Sequence, residues 1–521
     1  MTGNGRPQAL DLVSHGEARP ASPAVYVEGG TVLSYGELAA LVGEAERALR
    51  HDGKALVLCA GDRDLPTVLA YLAALRLGHA VAFLPASPDM LRAYEPEFIV
   101  PAPGGRAEPG GPGGPGGFGY GPVARPIAGA TVLRRGSRPA GEIHPDTALL
   151  LATSGSTASP KTVRLSYTAL AENYAAVVRA LGVTAAERGP TTLPIRHAYG
   201  LSVLNTHLLA GACVILGEGS PLSAATWDRL IRSGATSFAA VPTTYAAFGP
   251  AHRNLLGRSG IRTMTQASAR LDGGLTMRLV EMMHRRRGRF LVMYGQTEAT
   301  SRIALLDPAD LPARLGSVGT AIPGGAITIA PAATHARAVP GEGAVHYQGP
   351  GVMLGYAGGR ADLARGGEVD VLDTGDLGYL RDGYLYLTGR SKRIVKVLGV
   401  RTSLDDLERA VERPGHPAAV VCDGGDVLYL VGAGDPAVHE QQRRQLAETL
   451  GVPGRHVVFR QVRSLPRTAG GKLDYQRMAR AVGADADTTP AVNTAPTTDT
   501  TAEGGPQDEA GELADPVRPG A

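Results

Sequence analysis

The chain has 521 residues, of which 43% are hydrophobic and 19% charged, so it is long enough for two or more domains. Its 52 basic and 49 acidic residues give a net charge of +3, which argues against a nucleic-acid partner. The sequence has no apolar stretch of membrane-spanning length, no signal-peptide core and only three widely spaced cysteines, so we expect a cytoplasmic protein without membrane attachment or disulfides.

Strands that alternate with helices over the first hundred residues predict a parallel α/β layer. A strand pair is expected around Gly29-Gly30, followed by a helix that Ser34 caps, and a second helix is expected to end at Gly78. We expect residues 1–20 to be disordered. The tract 101–122 is rich in proline and glycine, which predicts a flexible insertion.

The stretch 148–166, ALLLATSGSTASPKTVRLS, carries the first functional signal. An apolar run predicts a buried strand, and a loop of small and hydroxylated residues follows it: Thr153, Ser154, Gly155, Ser156, Thr157 and then Lys161. Backbone N–H groups in such a loop, together with a lysine, can hold a polyphosphate, so we hypothesise an ATP site between a strand and a helix that Ser166 caps. An ordinary Ser/Thr-rich turn is the alternative, and the usual P-loop spacing is absent.

Further α/β alternation up to a helix over residues 274–285 extends the large domain. The segment 191–200, TTLPIRHAYG, is predicted to be a loop and carries His197, Tyr199 and Gly200. A buried strand around residues 291–293 then leads into a polar segment at its carboxyl end, where parallel sheets bind ligands. That segment comprises Tyr294, Gly295, Gln296, Thr297 and Glu298.

The carboxyl-terminal part contains three further signals. A turn with Asp376 precedes a hairpin whose tip is Asp382-Gly383, and Arg390 follows it. Lys472 comes directly after two glycines. We assign residues 21–391 to a large domain, 392–480 to a small one and 481–521 to a disordered tail.

Lysine usage supports these assignments. Only five of the 52 basic residues are lysines, and four of them lie in candidate motifs. Lys161 and Lys472 belong to the motifs described above, and Lys392 and Lys396 lie in the segment 389–401, GRSKRIVKVLGVR. In a chain so biased to arginine, a retained lysine suggests a position that needs a compact ammonium group.

In this order the motifs resemble those of the adenylate-forming superfamily, which includes acyl-CoA synthetases, luciferases and the adenylation domains of peptide synthetases. The resemblance covers residues 24–479 and implies an α/β fold, with a large N-terminal domain of α/β subdomains and a small mobile C-terminal α+β domain. The chain departs from the family at Ala158 and Thr162, where glycine is usual, and at Ser268-Ala269, where the family has two glycines.

The resemblance also implies roles for individual residues. Lys472 would bridge the carboxylate and the α-phosphate, and Glu298, beside Thr297, would hold Mg²⁺, because a carboxylate next to a polyphosphate needs a cation between them. Asp376 and Arg390 would bind the ribose. Three segments are expected to surround ATP. They are the phosphate loop 153–157 with Lys161, the adenine segment Ser268, Ala269 and Arg270, and the strand end Tyr294, Gly295 and Gln296. His197, Tyr199 and Gly200 would line the acid pocket, Lys392 would be the hinge, and Lys396 and Gly399 would face the thiol.

The implied reaction is ATP-dependent activation of a small carboxylic acid to acyl-AMP, followed by transfer to the thiol of CoA or phosphopantetheine. Amino-acid-activating relatives carry an Asp in the segment that corresponds to 191–200, and this chain has none there, which favours an acid without an α-amino group. Two alternatives stay open. The acyl group could pass to a separate carrier protein or an amine, or the chain could be a non-catalytic nucleotide-binding homologue.

Overall fold

The computed structural model describes residues 10–14, 18–104, 115–152, 162–332, 338–397, 400–422, 427–450, 452–468 and 472–484. The elements up to residue 152 are β1 (Pro23–Tyr26), β2 (Val32–Ser34), α1 (Tyr35–Ala48), β3 (Leu56–Cys59), α2 (Leu65–Arg76), β4 (Ala80–Phe83), α3 (Pro88–Tyr94), β5 (Phe98–Val100), β6 (Tyr120–Pro122), β7 (Leu133–Arg135) and β8 (Thr147–Ala152).

The middle of the chain continues the alternation of strands and helices. Its elements are β9 (Thr162–Ser166), α4 (Tyr167–Leu181), β10 (Arg188–Pro190), α5 (Ala198–Leu209), β11 (Cys213–Ile215), α6 (Ala224–Arg232), β12 (Ser237–Ala240), α7 (Pro242–Ala246), α8 (Pro250–Arg258), β13 (Thr263–Gln266), α9 (Gly273–Arg285), β14 (Arg289–Tyr294), β15 (Ala304–Leu306), β16 (Thr320–Ala321) and β17 (Ala326–Ala330).

The last part of the chain is richer in antiparallel strands. Its elements are β18 (Gly343–Gln348), β19 (Gly355–Ala357), β20 (Leu372–Arg381), β21 (Tyr384–Arg390), β22 (Ile394–Val397), β23 (Val400–Ser403), α10 (Leu404–Val411), β24 (Ala418–Cys422), β25 (Leu428–Gly432), α11 (Pro436–Leu450), β26 (Val457–Gln461) and α12 (Tyr475–Ala484).

Helix starts follow the caps that the sequence predicts. Ser34 accepts a hydrogen bond from the backbone N–H of Glu37 at 3.2 Å, and the Glu37 carboxylate accepts from the N–H of Ser34 at 2.8 Å. This reciprocal pair satisfies two backbone donors at the start of α1. Ser166 caps α4 in the same way, through the N–H of Ala169 at 3.0 Å. Both predicted helix starts are confirmed.

Two sheets position the candidate site. The larger runs β19-β9-β8-β4-β3-β5-β7-β6, with β8, β4, β3 and β5 parallel and fully buried along most of their length. The second runs β12-β13-β14-β15-β16, and its first three strands are parallel. Residues that follow β8, β13 and β14 therefore emerge at carboxyl ends of parallel strands, where α/β folds bind ligands.

Several boundaries differ from the sequence prediction. The predicted phosphate loop joins the antiparallel strands β8 and β9, not a strand and a helix. Within the expected insertion 101–122, β6 pairs with β7 at the sheet edge. Leu12 and Val13, in the segment expected to be disordered, are buried in the core.

The small C-terminal body has its own core. Strands β24, β25 and β26 form one sheet, β22 and β23 form a hairpin, and α10, α11 and α12 pack nearby. Helix α12 extends to Ala484, beyond the expected start of the tail at 481. Cys59, Cys213 and Cys422 are in the thiol form; Cys59 and Cys213 are buried, and Cys422 is half-buried. Within the described residues, the structure has no helix with the length and apolar character needed to span a membrane.

Candidate active site

A buried aspartate connects the five-stranded sheet to a further sheet, the four-stranded β17-β18-β20-β21. Asp376 lies inside β20, in a strand instead of the expected turn, and is 8% exposed. Tyr294, at the end of β14, donates its hydroxyl hydrogen bond to the Asp376 carboxylate at 2.5 Å. Arg390, at the end of β21, donates to the other carboxylate oxygen at 3.1 Å. Burial, followed by the nearby Asp376 charge, raises the pKa of Tyr294 well above its ordinary value, so the phenol stays a donor.

The second carboxylate of the site, Glu298, lies in the short helical turn Thr297–Ala299 directly after β14. Its Oε1 accepts a hydrogen bond from the Tyr356 hydroxyl at 3.0 Å, while its other oxygen has no hydrogen-bond partner in the part of the chain that the structure describes. Mg²⁺ in nucleotide sites is commonly held by one or two carboxylates and by phosphate oxygens. A single oriented carboxylate with one free oxygen fits that requirement.

Gly295 and Gln296 shape the chain between these carboxylates. A Cβ on Gly295 would lie 2.0 Å from the carbonyl oxygen of Ser301, so only glycine allows the chain to fold back this closely. Gln296 donates to the backbone carbonyl of Thr374 at 3.4 Å, which connects the segment to β20.

The segment after β13 has a backbone conformation that is typical of glycine, although a serine occupies the position. Ser268 has φ of +82°, in the left-handed region that favours glycine. Gln266 donates to the carbonyl of Ala269 at 2.5 Å, and both Ala269 and Arg270 are exposed at the carboxyl edge of the sheet. The structure thus places the predicted adenine segment beside Tyr294.

His197 is the N-terminal cap of α5, so the predicted loop 191–200 ends in a helix that contains Tyr199 and Gly200 in its first turn. Its Nε2 is buried and has no hydrogen-bond partner among the described residues. Burial lowers the pKa of His197, as do the charges of Arg196 and Lys472, while Asp62 opposes them. The imidazole is therefore neutral near pH 7 and can offer either a donor or an acceptor.

Lys472 of the small body is half-buried, and charged residues of the large body affect its pKa. Burial lowers the pKa of its ammonium, and so does the Arg390 charge, whereas the charges of Asp376 and Glu298 raise it. The backbone carbonyl of Lys472 accepts from the N–H of Thr468 at 2.8 Å, which holds the lysine at the end of a short loop. The lysine charge thus lies within electrostatic reach of both carboxylates and of His197.

The predicted hinge is tied to the small body. The Asp405 carboxylate accepts from the backbone N–H of Arg390 at 2.9 Å and from Arg393 Nε at 2.5 Å, and Lys392 between them is exposed. The remaining predicted positions fall outside the described residues: Thr153, Ser154, Gly155, Ser156, Thr157, Lys161 and Gly399, together with the side chain of Lys396.

Sequence reasoning missed Tyr356, Asp62 and Arg302. Asp62 pairs with Arg196 at 3.4 Å beside His197, and Arg302 stacks on Tyr199 with its guanidinium 4.2 Å from the ring centre. Tyr356 reaches Glu298 from a distant β-strand. For Arg302 a signal existed in the sequence, since a charged residue four positions after Glu298 directly precedes the apolar run 303–306, IALL.

Comparisons with known proteins place this site in a family. The family model described as "AMP-binding enzyme" matches residues 122–357. The oxalate–CoA ligase of Arabidopsis thaliana is 32% identical over 363 residues, which cover 65% of this chain and 68% of that protein. The chain belongs to the AMP-binding enzyme family. The predicted superfamily, fold class and enzyme class, an AMP-forming acid–thiol ligase, are therefore confirmed.

Two further comparisons extend over most of this AMP-binding enzyme. The phenyloxazoline synthase MbtB of Mycolicibacterium paratuberculosis is 29% identical over 89% of the chain, which is 41% of that longer protein. The structure of ATP-bound MatB from Rhodopseudomonas palustris superposes with a TM-score of 0.70 at 22% identity, over 91% of this chain and 99% of that one. The latter similarity shows that the fold is shared.

Proposed function

We propose that the chain uses ATP to activate a small carboxylic acid and then transfers the acyl group to the thiol of CoA or phosphopantetheine. A carboxylate oxygen attacks the α-phosphorus, the bond to the β-phosphate breaks, and pyrophosphate leaves. In the second step the thiol sulfur attacks the acyl carbon, AMP leaves, and the thiol proton is released. The observation that carries the proposal is the pair of fixed carboxylates near the end of β14: Asp376 is held by Tyr294 and Arg390 at 2.5 and 3.1 Å, and Glu298 by Tyr356 at 3.0 Å. The Lys472 charge lies within electrostatic reach of both carboxylates.

The chemistry explains why these residues must meet. Two anions, the carboxylate and the triphosphate, repel each other and have to be aligned. Lys472 supplies a cation where negative charge develops, and a desolvated position strengthens its effect. Asp376 with Arg390 and Tyr294 offers a rigid acceptor for ribose hydroxyls. Mg²⁺, held by Glu298 when bound, would neutralise phosphate charge.

The thiol acceptor can be CoA or a carrier protein. Similarity to an oxalate–CoA ligase supports CoA, whereas alignment with MbtB across 89% of the chain supports a separate carrier. Parallel assays with CoA and with a phosphopantetheinylated carrier protein separate these acceptors. The cytoplasmic location, the residue roles and the boundary at residue 391 stay predictions.

Lys472→Ala tests the proposal directly. We expect acid-dependent ATP–pyrophosphate exchange to fall by about 100-fold or more, because one oriented charge at a developing anion contributes about 3 kcal/mol or more. Thioester formation from preformed acyl-AMP should stay near the wild-type rate, since the lysine acts in the first half-reaction only.

Arg477→Ala is the matched control, because it removes an exposed positive charge from the adjacent helix α12. It should leave both half-reactions unchanged. Equal loss of both half-reactions in Lys472→Ala would contradict the assigned role. A wild-type protein that binds ATP but exchanges pyrophosphate with no acid would instead indicate a non-catalytic homologue.

A further inference from the structure

Arg302 is a buried arginine without a carboxylate partner. It is 3% exposed and follows the short turn that holds Glu298. Its donors reach only the Met293 sulfur at 3.3 Å, the Ser301 carbonyl and hydroxyl at 3.2 and 2.9 Å, and the Ser202 hydroxyl at 3.3 Å. No acidic side chain pairs with it anywhere in the described residues. A buried cation with neutral acceptors alone is costly, so this position calls for an anionic ligand.

The backbone that presents Arg302 is strained. Thr300, a fully buried β-branched residue, has φ of +61°, a conformation that is rare for such residues. Its hydroxyl donates to the Gly351 carbonyl at 2.8 Å, and the Asn173 amide donates to the Arg302 carbonyl at 3.0 Å. Strain of this kind persists where the surroundings fix one geometry, and it is concentrated at functional sites.

Arg302 lines a narrow cavity next to the acid-pocket residues. Tyr199, Ser202, Thr265 and Met293 share this cavity, whose volume of about 40 Å³ is space for roughly three water molecules. The lining also includes aliphatic side chains, among them Val177, Leu181 and Val203, and the space beside Arg302 accommodates one carboxylate group. Tyr199 lies two residues after His197, which is within electrostatic reach of Lys472. An acid that contacts Tyr199 can thus reach Arg302, because the two side chains are stacked.

The other charged groups of the cavity already have partners. Glu187 accepts a hydrogen bond from the Thr236 hydroxyl, and Arg289 donates to the Leu181 carbonyl and to Thr263. His207 bonds the Val203 carbonyl through Nδ1 at 2.7 Å. Among the residues that the structure describes, Glu187 and Arg289 also lack a charged partner, but both are half-buried, so water can screen their charges. Arg302 is therefore the fully buried charge of this lining that has no counter-ion within the described chain.

We propose that Arg302 is a specificity-determining residue that binds a second carboxylate at the distal end of the acid, so that the substrate is a short dicarboxylic acid. This inference rests on the proposed function, the adenylation of a carboxylic acid, and specifies which class of acid the enzyme activates. The planar guanidinium stacked on Tyr199 is suited to a bidentate contact with a carboxylate.

The test compares short saturated dicarboxylic acids with their monomethyl esters in ATP–pyrophosphate exchange. The two ligands have nearly the same shape but differ in the distal charge. For wild type we expect kcat/KM to favour the diacid by about 30- to 1,000-fold, because leaving one partner of a buried charge pair unmatched is costly. Arg302→Met should reduce this ratio to near one or below. A loss of folding alone lowers both activities and leaves the ratio unchanged.

A control variant and a binding measurement distinguish a specific role of Arg302 from a general effect of removing an arginine. Arg285→Met removes an exposed arginine that pairs with Glu281, and it should preserve the wild-type ratio. In thermal unfolding without ATP, a diacid should raise the melting temperature of wild type and not that of Arg302→Met.

Exchange driven only by monocarboxylic acids or half-esters, with no diacid-induced thermal shift, would overturn the inference and leave the proposed function intact. A diacid-specific shift that depends on Arg302 but is accompanied by no exchange would overturn the proposed function and support the diacid site. An unchanged diacid preference in Arg302→Met would also overturn the inference.

Discussion

At the scale of single residues, Ser268 shows how the chain departs from its family without changing the backbone. Its φ of +82° lies in the left-handed region, where a Cβ is unfavourable. We expect Ser268→Gly to raise the free energy of unfolding by up to about 1 kcal/mol, since relief of strain exceeds the added entropy of the unfolded chain. Denaturant titration measures this change.

Ser268→Ala is the control, because alanine keeps the Cβ and removes only the hydroxyl. It should give no gain in the same titration. A loss of stability in Ser268→Gly would mean that the serine hydroxyl contributes more than the strained backbone costs.

Thr162 is a second departure from glycine, and its effect is structural. The residue is fully buried at the start of β9, where its hydroxyl lies 3.0 Å from the Tyr94 hydroxyl and 3.3 Å from the Ala357 carbonyl. A glycine there would leave the Ala357 carbonyl and the tyrosine with fewer partners inside the core. The threonine thus fixes the strand that closes the predicted phosphate loop.

The few lysines of the chain do not all lie at functional positions. Lys54 lies outside the motifs and donates to the Gly78 and Pro145 carbonyls at 3.0 and 2.8 Å. Burial lowers its pKa to about 7. A slender ammonium that reaches two carbonyls in a narrow space is therefore retained for packing, so a rare lysine is not by itself evidence for catalysis.

At the scale of elements, local signals predicted helix starts and the hairpin tip. Ser34 and Ser166 cap their helices through bonds to residues three positions away, so a short window contains all the information. The tip Asp382-Gly383 has both φ values positive, as a two-residue hairpin requires. Pairing of β8 with β9 was not predicted, because strand partners depend on the register of the whole sheet.

The same limit applies to the candidate site. Glu298 was predicted because it follows a recognisable buried strand and its segment resembles a family motif. Asp376 was predicted from its resemblance to a family residue, in a segment expected to be a turn. Tyr356 reaches Glu298 from 58 positions away, and Asp62 reaches Arg196 from 134 positions away. Only the folded sheets bring these partners together, so residue type and spacing could not identify them.

The segment between β21 and β22 provides a prediction about domain movement. Lys392 is exposed, while its neighbours Arg390 and Arg393 are both held by Asp405. If the small body turns about Lys392 between the two half-reactions, Lys392→Pro should lock φ near –65° and impede the rotation. We expect pyrophosphate exchange near the wild-type rate and thioester formation slowed by about 10-fold or more.

Lys392→Ala should leave both half-reactions unchanged, because alanine keeps the backbone free to rotate. Wild-type rates of both half-reactions in Lys392→Pro would show that the pivot lies elsewhere in the chain.

At the scale of the whole molecule, the separate cores of the two bodies predict separate unfolding transitions. Arg393 connects the start of the small body to its core. Its guanidinium lies 3.7 Å from the Tyr475 ring centre and donates to Glu408 at 2.8 Å. Burial raises the pKa of Glu408, and the Arg393 charge opposes that rise. Removing the arginine would leave this carboxyl buried without its cation.

We therefore expect Arg393→Ala to destabilise the small body by about 3 kcal/mol, because a buried charge pair that loses one partner is strongly destabilised. In scanning calorimetry the corresponding transition should fall, while the large-body transition, and its rise on adding ATP, should persist. Arg444→Ala, which removes an exposed partner of Glu440, should leave both transitions within about 0.5 kcal/mol of wild type. If Arg393→Ala instead shows a single transition that moves to lower temperature as a whole, the two bodies unfold together.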